Sequence, residues 1–206
     1  LNFAFHTDWL KANGGQTGFF RVAYSAEEWK RLIGAVKSKK LSAIDRLSLQ
    51  DDVYALMRAG YVSATEFFEL ASAYDSESNA TVLSDFASNL KGLDSLLWDQ
   101  DSSSMFNNFA RARFTKAAQK SGWDAKEGEG HLDALFRSTA VGQAGSYGDD
   151  SVINEARLRF SEFAVNNKPI HPDMRGVVFS LAAQYGDSQV YEHLWKIYND
   201  SKLHEE

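Results

Sequence analysis

The sequence predicts a mainly α protein: a curved stack of helix pairs behind a short N-terminal β-hairpin. Three observations carry this. From residue 25 onward, apolar residues recur at helical spacing in run after run. Two of those runs open on a Ser-x-x-Glu capping box, and most are divided by short polar or glycine-containing joints. The first two dozen residues instead alternate or cluster aromatic and branched side chains, as strands do. With 206 residues, 44% of them apolar, there is material for a substantial core.

In chain order, Leu1, Phe3 and Phe5 alternate with smaller or polar neighbours, the pattern of a half-buried strand. Trp9-Leu10-Lys11-Ala12 and Phe19-Phe20-Arg21-Val22-Ala23-Tyr24 flank the turn residues Asn13-Gly14-Gly15-Gln16, so residues 9–24 read as a hairpin. Ser25-Ala26-Glu27-Glu28 caps the first helix, with Trp29, Leu32, Ile33 and Val36 on one face. The basic run Lys37-Ser38-Lys39-Lys40 falls where that helix ends, and cations there offset the helix dipole.

Leu41-Ser42 opens a second helix bearing Ile44, Leu47, Leu49, Val53, Leu56 and Met57, with Gly60 as its left-handed stop. Ser63-Ala64-Thr65-Glu66 is the second capping box. Helices follow at 79–98 and 103–121, then a glycine-rich charged loop from Gly122 to Gly130. Further helices are predicted at 131–144, 151–166, 173–185 and 188–199, with Gly142-Gln143-Ala144-Gly145-Ser146 ending the first of these. His171-Pro172-Asp173 marks a start, because proline suits the first helical turn. Helices of modest length on short loops pack as antiparallel neighbours, so the expected architecture is an α-solenoid like irregular HEAT or armadillo repeats, without a sequence repeat.

Composition excludes several functions. The net charge of −6 supplies no basic face, so no nucleic-acid partner is expected. No apolar run approaches the length of a membrane span. The absence of cysteine removes disulfides, thiolate catalysis and Cys-based zinc sites, and suits a reducing compartment. The triplets Asn79-Ala80-Thr81 and Asn199-Asp200-Ser201 match the glycosylation sequon, a pattern common by chance.

No catalytic centre is expected in the sequence. His6, His131, His171, His193 and His204 include no pair one helical turn apart, so no His pair could share a metal on a helix. There is no Gly-x-Ser-x-Gly elbow and no phosphate loop; Gly128-Glu129-Gly130 has an acidic centre. Asp51-Asp52 and Asp149-Asp150 are adjacent carboxylates, which point apart on a helix. Asp149-Asp150-Ser151 reads as an N-cap, and Asp45-Arg46 near Asp51 as an ion pair within one helix. Arg137 and Arg175 sit in apolar helices, read as buried or half-buried ion pairs, with a contact to a peptide carboxylate as the alternative. Catalytic and metal residues are therefore expected to be none, and substrate-binding residues are not identified.

Several blocks resemble zinc aminopeptidases of the aminopeptidase N type. Trp9-Leu10-Lys11-Ala12-Asn13 and Thr17-Gly18-Phe19-Phe20-Arg21-Val22-Ala23-Tyr24 are similar to the last strands of that family's β-sandwich. Leu41-Ser42-Ala43-Ile44-Asp45-Arg46-Leu47-Ser48-Leu49-Gln50-Asp51-Asp52 resembles the start of its C-terminal helical domain. Gly122-Trp123-Asp124 and Gly128-Glu129-Gly130-His131-Leu132-Asp133-Ala134-Leu135 resemble the puromycin-sensitive branch in particular. His171-Pro172-Asp173-Met174-Arg175 and Tyr191-Glu192-His193-Leu194-Trp195-Lys196-Ile197-Tyr198 match family blocks in the same order. Ala23 stands where the family has Asn, and Phe20 where it has Tyr.

The resemblance implies residues 1–24 as terminal strands of a sandwich domain and 25–206 as a helical-repeat domain incomplete at its C-terminus. It implies a cytoplasmic parent whose zinc and catalytic domain lie upstream, with an HExxH-type site and a Gly-Ala-Met-Glu-Asn amine-binding motif, neither present here. The segment would wall and gate the peptide cavity, be inactive alone, and have the upstream catalytic domain and peptide substrates as partners. The alternative is a free-standing helical-repeat module that binds a peptide or protein.

Overall fold

The computed structural model describes residues 8–97 and 101–201. Among these are nine α-helices: α1 (Ala26–Lys37), α2 (Ala43–Arg58), α3 (Ala64–Ala71), α4 (Ala80–Leu97), α5 (Ser103–Ser121), α6 (His131–Ser146), α7 (Asp150–Asn166), α8 (Pro172–Tyr185) and α9 (Ser188–Asp200). The chain is mainly α, as expected. It divides into two compact units, residues 1–100 and 101–206.

The expected hairpin is not there. Among the described residues none lies in a strand, and residues 9–24 run as an irregular strap with one 3-10 turn at Gly14–Gln16. A two-stranded ribbon without further strands is marginal in water. The strap's polar groups find side-chain partners instead: Asn13 Oδ1 accepts from Gly18 N, and the Tyr24 hydroxyl accepts from Ala12 N. Asn13 and Gln16 both take positive φ, as does Gly15, which no strand allows. The strand expected around Leu1, Phe3 and Phe5 lies outside the described residues.

In the first unit, both capping boxes form: Ser25 with Glu28, and Ser63 with Glu66. α2 begins on Ser42, whose side chain accepts from Asp45 N, and ends with Gly60 at φ 81. There Tyr61 N bonds Leu56 O and Gly60 N bonds Met57 O, the paired closure that needs a left-handed residue. α1 closes identically with Lys39 at φ 52, Lys40 N bonding Ala35 O and Lys39 N bonding Val36 O. A lysine in that region carries a steric cost that glycine lacks, so Lys39→Gly is expected to raise stability by about 0.5–1 kcal/mol, read as a higher urea midpoint. α2 packs on α3 and α4, and α1 on α3 and the 3-10 turn Ser72–Tyr74. Leu32, Leu49, Val53, Phe67, Leu90 and Phe86 form the centre of this core.

In the second unit, α6 lies against α5, α7 and α8; α7 and α8 pair, and α9 packs on α8. The core is built from Phe106, Phe114, Val141, Val178 and Leu181 among many alanines. The predicted stop at residues 142–146 is misplaced. α6 continues to Ser146, and Gly148 at φ 86 ends it. Gly142 and Gly145 are interior positions where α8 comes close: a Cβ on Gly145 would lie 2.5 Å from Leu181 Cδ1. Helix-interior glycine thus serves packing here, and sequence alone cannot separate that use from a stop signal.

Candidate functional site

Among the described residues two places gather charged side chains, and each belongs to one unit. The first is the outer face of α2, where the strap is clasped. Lys11, with a side chain only 4% exposed, places Nζ 3.3 Å from Asp45 Oδ1. Gly15 N donates to the same oxygen at 2.8 Å. Arg21 Nη1 donates to Asp51 Oδ2 and Asp51 O at 2.9 Å and to Asp52 Oδ1 at 3.2 Å, while Val22 N donates to Asp52 Oδ2. The neighbouring carboxylates Asp51 and Asp52 therefore do not point apart; both turn to one guanidinium. The arrangement is an electrostatic clasp, in which both carboxylates are engaged by Arg21 and the strap backbone.

The ion pair expected within α2 among Asp45, Arg46 and Asp51 does not form. Asp45 pairs with Lys11, Asp51 with Arg21, and Arg46 with Glu77. Arg46 Nε and Nη2 donate to the two oxygens of Glu77 at 2.7 and 2.8 Å, and Nη1 donates to Leu41 O at 2.8 Å. Both residues are buried, and the Glu77 oxygen Oε1 also accepts from Ser78 N and Asn79 N. Beside them Gln50 Nε2 donates to Val82 O and to Asp85 Oδ2. One helix thus carries an outer salt-bridged face to the strap and an inner polar face to α4.

Electrostatics separates these carboxylates. Burial pushes Asp52 upward from the ordinary value, more than the Val22 bond and Arg21 lower it. Burial likewise raises Asp85. Asp45 and Glu77 are also pushed up by burial, but hydrogen bonds outweigh it and hold both below the ordinary value: from Ser42, Gly15 and Lys11 at Asp45, and from Arg46, Asn79 and Ser78 at Glu77.

The second place is a cleft of about 600 Å³ in the second unit, walled by Leu158, Ile170 and Pro172 and rimmed by Arg159, Glu155 and Lys168. Arg159 donates to both oxygens of Asp124 (2.7 and 3.0 Å) and to Glu155 Oε1 (2.7 Å), and its guanidinium lies 5.0 Å from the Trp123 ring centre. The hydrogen bonds from Arg159 hold Asp124 below the ordinary carboxylate value. Arg137, 2% exposed, pairs with Glu129. These two arginines tie the loop between α5 and α6 to the helices behind it.

The remaining sequence candidates fall apart in space. Asp149 caps α7, accepting from Ser151 N, Val152 N and Thr115 Oγ1, while Asp150 is exposed. Arg175 is half-buried in α8. His171 caps α8 and lies 3.4 Å from Asp173; His131 starts α6 and His193 sits on α9, both exposed. His6 and His204 are outside the described residues. Among the described residues no three His, Asp or Glu side chains could hold a metal ion, so these residues do not fit a zinc site. Nor is any helix among them long and apolar enough to cross a membrane. α9 has no buried residue and exposes the stripe Tyr191, Trp195 and Tyr198, whose rings stack at 6.4 and 5.6 Å.

The clasp and the buried pair were missed because their partners, Lys11, Arg21, Glu77 and Asp85, lie about a whole helix pair away in sequence. The one local sign was Arg46 and Gln50, four residues apart on the same helix as Leu49 and Val53.

Residues 9–206 match the family model described as the ERAP1-like C-terminal domain. The chain is 35% identical over 205 residues to aminopeptidase M1-A of Oryza sativa subsp. japonica and 36% identical over 208 residues to aminopeptidase M1 of Arabidopsis thaliana. Each alignment covers 96% of this chain and 23% of the relative. The puromycin-sensitive aminopeptidase of Caenorhabditis elegans is 26% identical over 195 residues, covering 92% of this chain and 20% of its own length. The chain therefore spans less than two thirds of each of these relatives.

Proposed function

This chain belongs to the ERAP1-like C-terminal domain family, and from that premise we propose that it is the non-catalytic C-terminal part of a zinc-dependent aminopeptidase, walling and gating the cavity in which peptides lose N-terminal residues. The zinc and the catalytic groups belong to the upstream domain of the same polypeptide, which is this chain's first partner. Peptide substrates are the second. The same reading places the parent in the cytoplasm, in keeping with a chain free of cysteine.

The observation that supports it most is the clasp. Residues 9–24, which link whatever precedes them to the helices, are held to α2 by Lys11–Asp45 and by Arg21 on Asp51 and Asp52. A wall that shapes a cavity must be fixed to the part it faces, and a free linker would let it drift. The helix-pair wall and the sandwich origin of residues 1–24 belong to this reading.

The test is hydrolysis of an amino-acid aminocoumarin, with zinc, by this chain and by the upstream part with and without it. The chain alone is expected to be inert. Joined to the upstream part, it is expected to change the preference among peptides of different length more than the rate on the small substrate. Enzyme-like turnover by the chain alone would overturn the proposal. The second reading, a free-standing peptide-binding module, draws on the cleft at Arg159. It predicts saturable peptide binding by the chain with no effect on the upstream part.

A further inference from the structure

Asn13-Gly14 is the one Asn-Gly step in the sequence. Glycine leaves the following amide nitrogen unshielded, and the space around Gly14 is open. Left free, such a step closes on itself. The deprotonated Gly14 nitrogen attacks Asn13 Cγ, the bond to Nδ2 breaks, and ammonia leaves. Water then opens the five-membered imide to aspartate or isoaspartate. The balance is amide plus water giving acid plus ammonia, with no oxidant or reductant.

The strap opposes every part of this. Asn13 Nδ2 donates to Gln16 Oε1, Gly18 O and Phe20 O at 2.7, 2.9 and 3.2 Å, and Oδ1 accepts from Gly18 N at 2.7 Å. Its backbone is left-handed, φ 53 and ψ 44, far from the ψ at which the next nitrogen reaches Cγ. Its carbonyl accepts from Gln16 N and from Lys11 Nζ. Lys11 and Gly15, flanking the step, are both tied to Asp45, and Arg21 to Asp51 and Asp52. Ring closure thus requires the strap to open first.

We propose that Asn13 is a deamidation site kept in check by the closed strap, so that release of the strap from α2 is recorded covalently. The product cannot re-form the turn. An aspartate offers acceptors where the Gly18 and Phe20 carbonyls are also acceptors, so both of those bonds are lost and only Gln16 could turn its amide to donate, and isoaspartate adds a methylene to the backbone. Deamidation therefore makes strap opening irreversible.

The experiment follows the Asn13 peptide by mass spectrometry after incubation of the whole chain in mildly alkaline buffer. A synthetic peptide of residues 8–20 is the unprotected reference. The intact chain is expected to deamidate at least about tenfold more slowly than the peptide, and Arg21→Ala to fall between them. If circular dichroism shows that Arg21→Ala loses helix, Tyr24→Phe, which removes only the hydroxyl that Ala12 N reaches, takes its place with the same expected order. Equal rates for chain and peptide, or a folded strap variant no faster than the wild type, would overturn the proposal. Asn13→Asp, the direct product, is expected to speed hydrogen exchange at Gly15 and Gly18 while α4 stays protected; unchanged exchange there would refute the irreversible opening.

Discussion

Glu77→Ala is expected to destabilise the first unit by about 3–5 kcal/mol, because it leaves the Arg46 guanidinium buried without its counter-charge. Arg46 is 8% exposed and Glu77 6%, so water cannot easily replace the lost carboxylate. Two backbone donors, Ser78 N and Asn79 N, lose their acceptor as well. Hydrogen exchange should show α2 and α4 losing protection while α6 and α8 keep theirs. Replacing both partners by apolar residues of similar volume should cost much less than Glu77→Ala alone. A single-variant loss below about 1 kcal/mol would show that the pair is not what fastens α2.

The same residues set the response to acid. Glu77 and Asp45 have folded pKa values below their unfolded ones, so their stabilisation is present above the unfolded value and lost as pH falls through the folded value. Asp52 and Asp85 are shifted the other way by burial, and proton uptake there favours the folded state once pH falls toward their raised values. Stability should therefore hold or rise on mild acidification and fall only below the ordinary carboxylate range. A Glu77→Gln chain should show a shallower acid limb in thermal melts taken across that range.

Gly145→Val is expected to destabilise the second unit by about 3 kcal/mol, the upper part of the range for overpacking. The first added carbon would lie 2.5 and 2.7 Å from the two Leu181 methyls and 3.1 Å from Val152 Cγ1. Leu181 is 1% exposed and Val152 6%, so neither can swing into solvent. α6 and α8 would have to part. Urea unfolding followed through the second-unit helices checks this, with Gly34→Ala as the contrast. Nothing lies within 4 Å of a Cβ at Gly34, in the middle of α1, so that change should stabilise by about 0.5–1 kcal/mol. If Gly145→Val is as harmless as Gly34→Ala, the close approach of α6 and α8 does not hold in solution.

The sequence by itself determined most of the helices and where they begin. Ser25, Ser42, Ser63, Asp149 and His171 begin helices because a side-chain acceptor within three residues satisfies a free backbone donor. Gly60 ends one because glycine takes positive φ without the steric cost of a side chain. Those signals act within a few residues, so they can be read one after another along the chain. The ordered blocks also identified the family, since each local pattern keeps its place in the series. Only the tertiary structure decided what the polar residues of α2 do, that residues 9–24 form a clasped strap instead of a hairpin, and that Gly145 is a contact and not a stop. Charge pairing, strand pairing and close packing all depend on which distant segment arrives opposite. That is settled by burial of the whole core, and no window of neighbouring residues contains it.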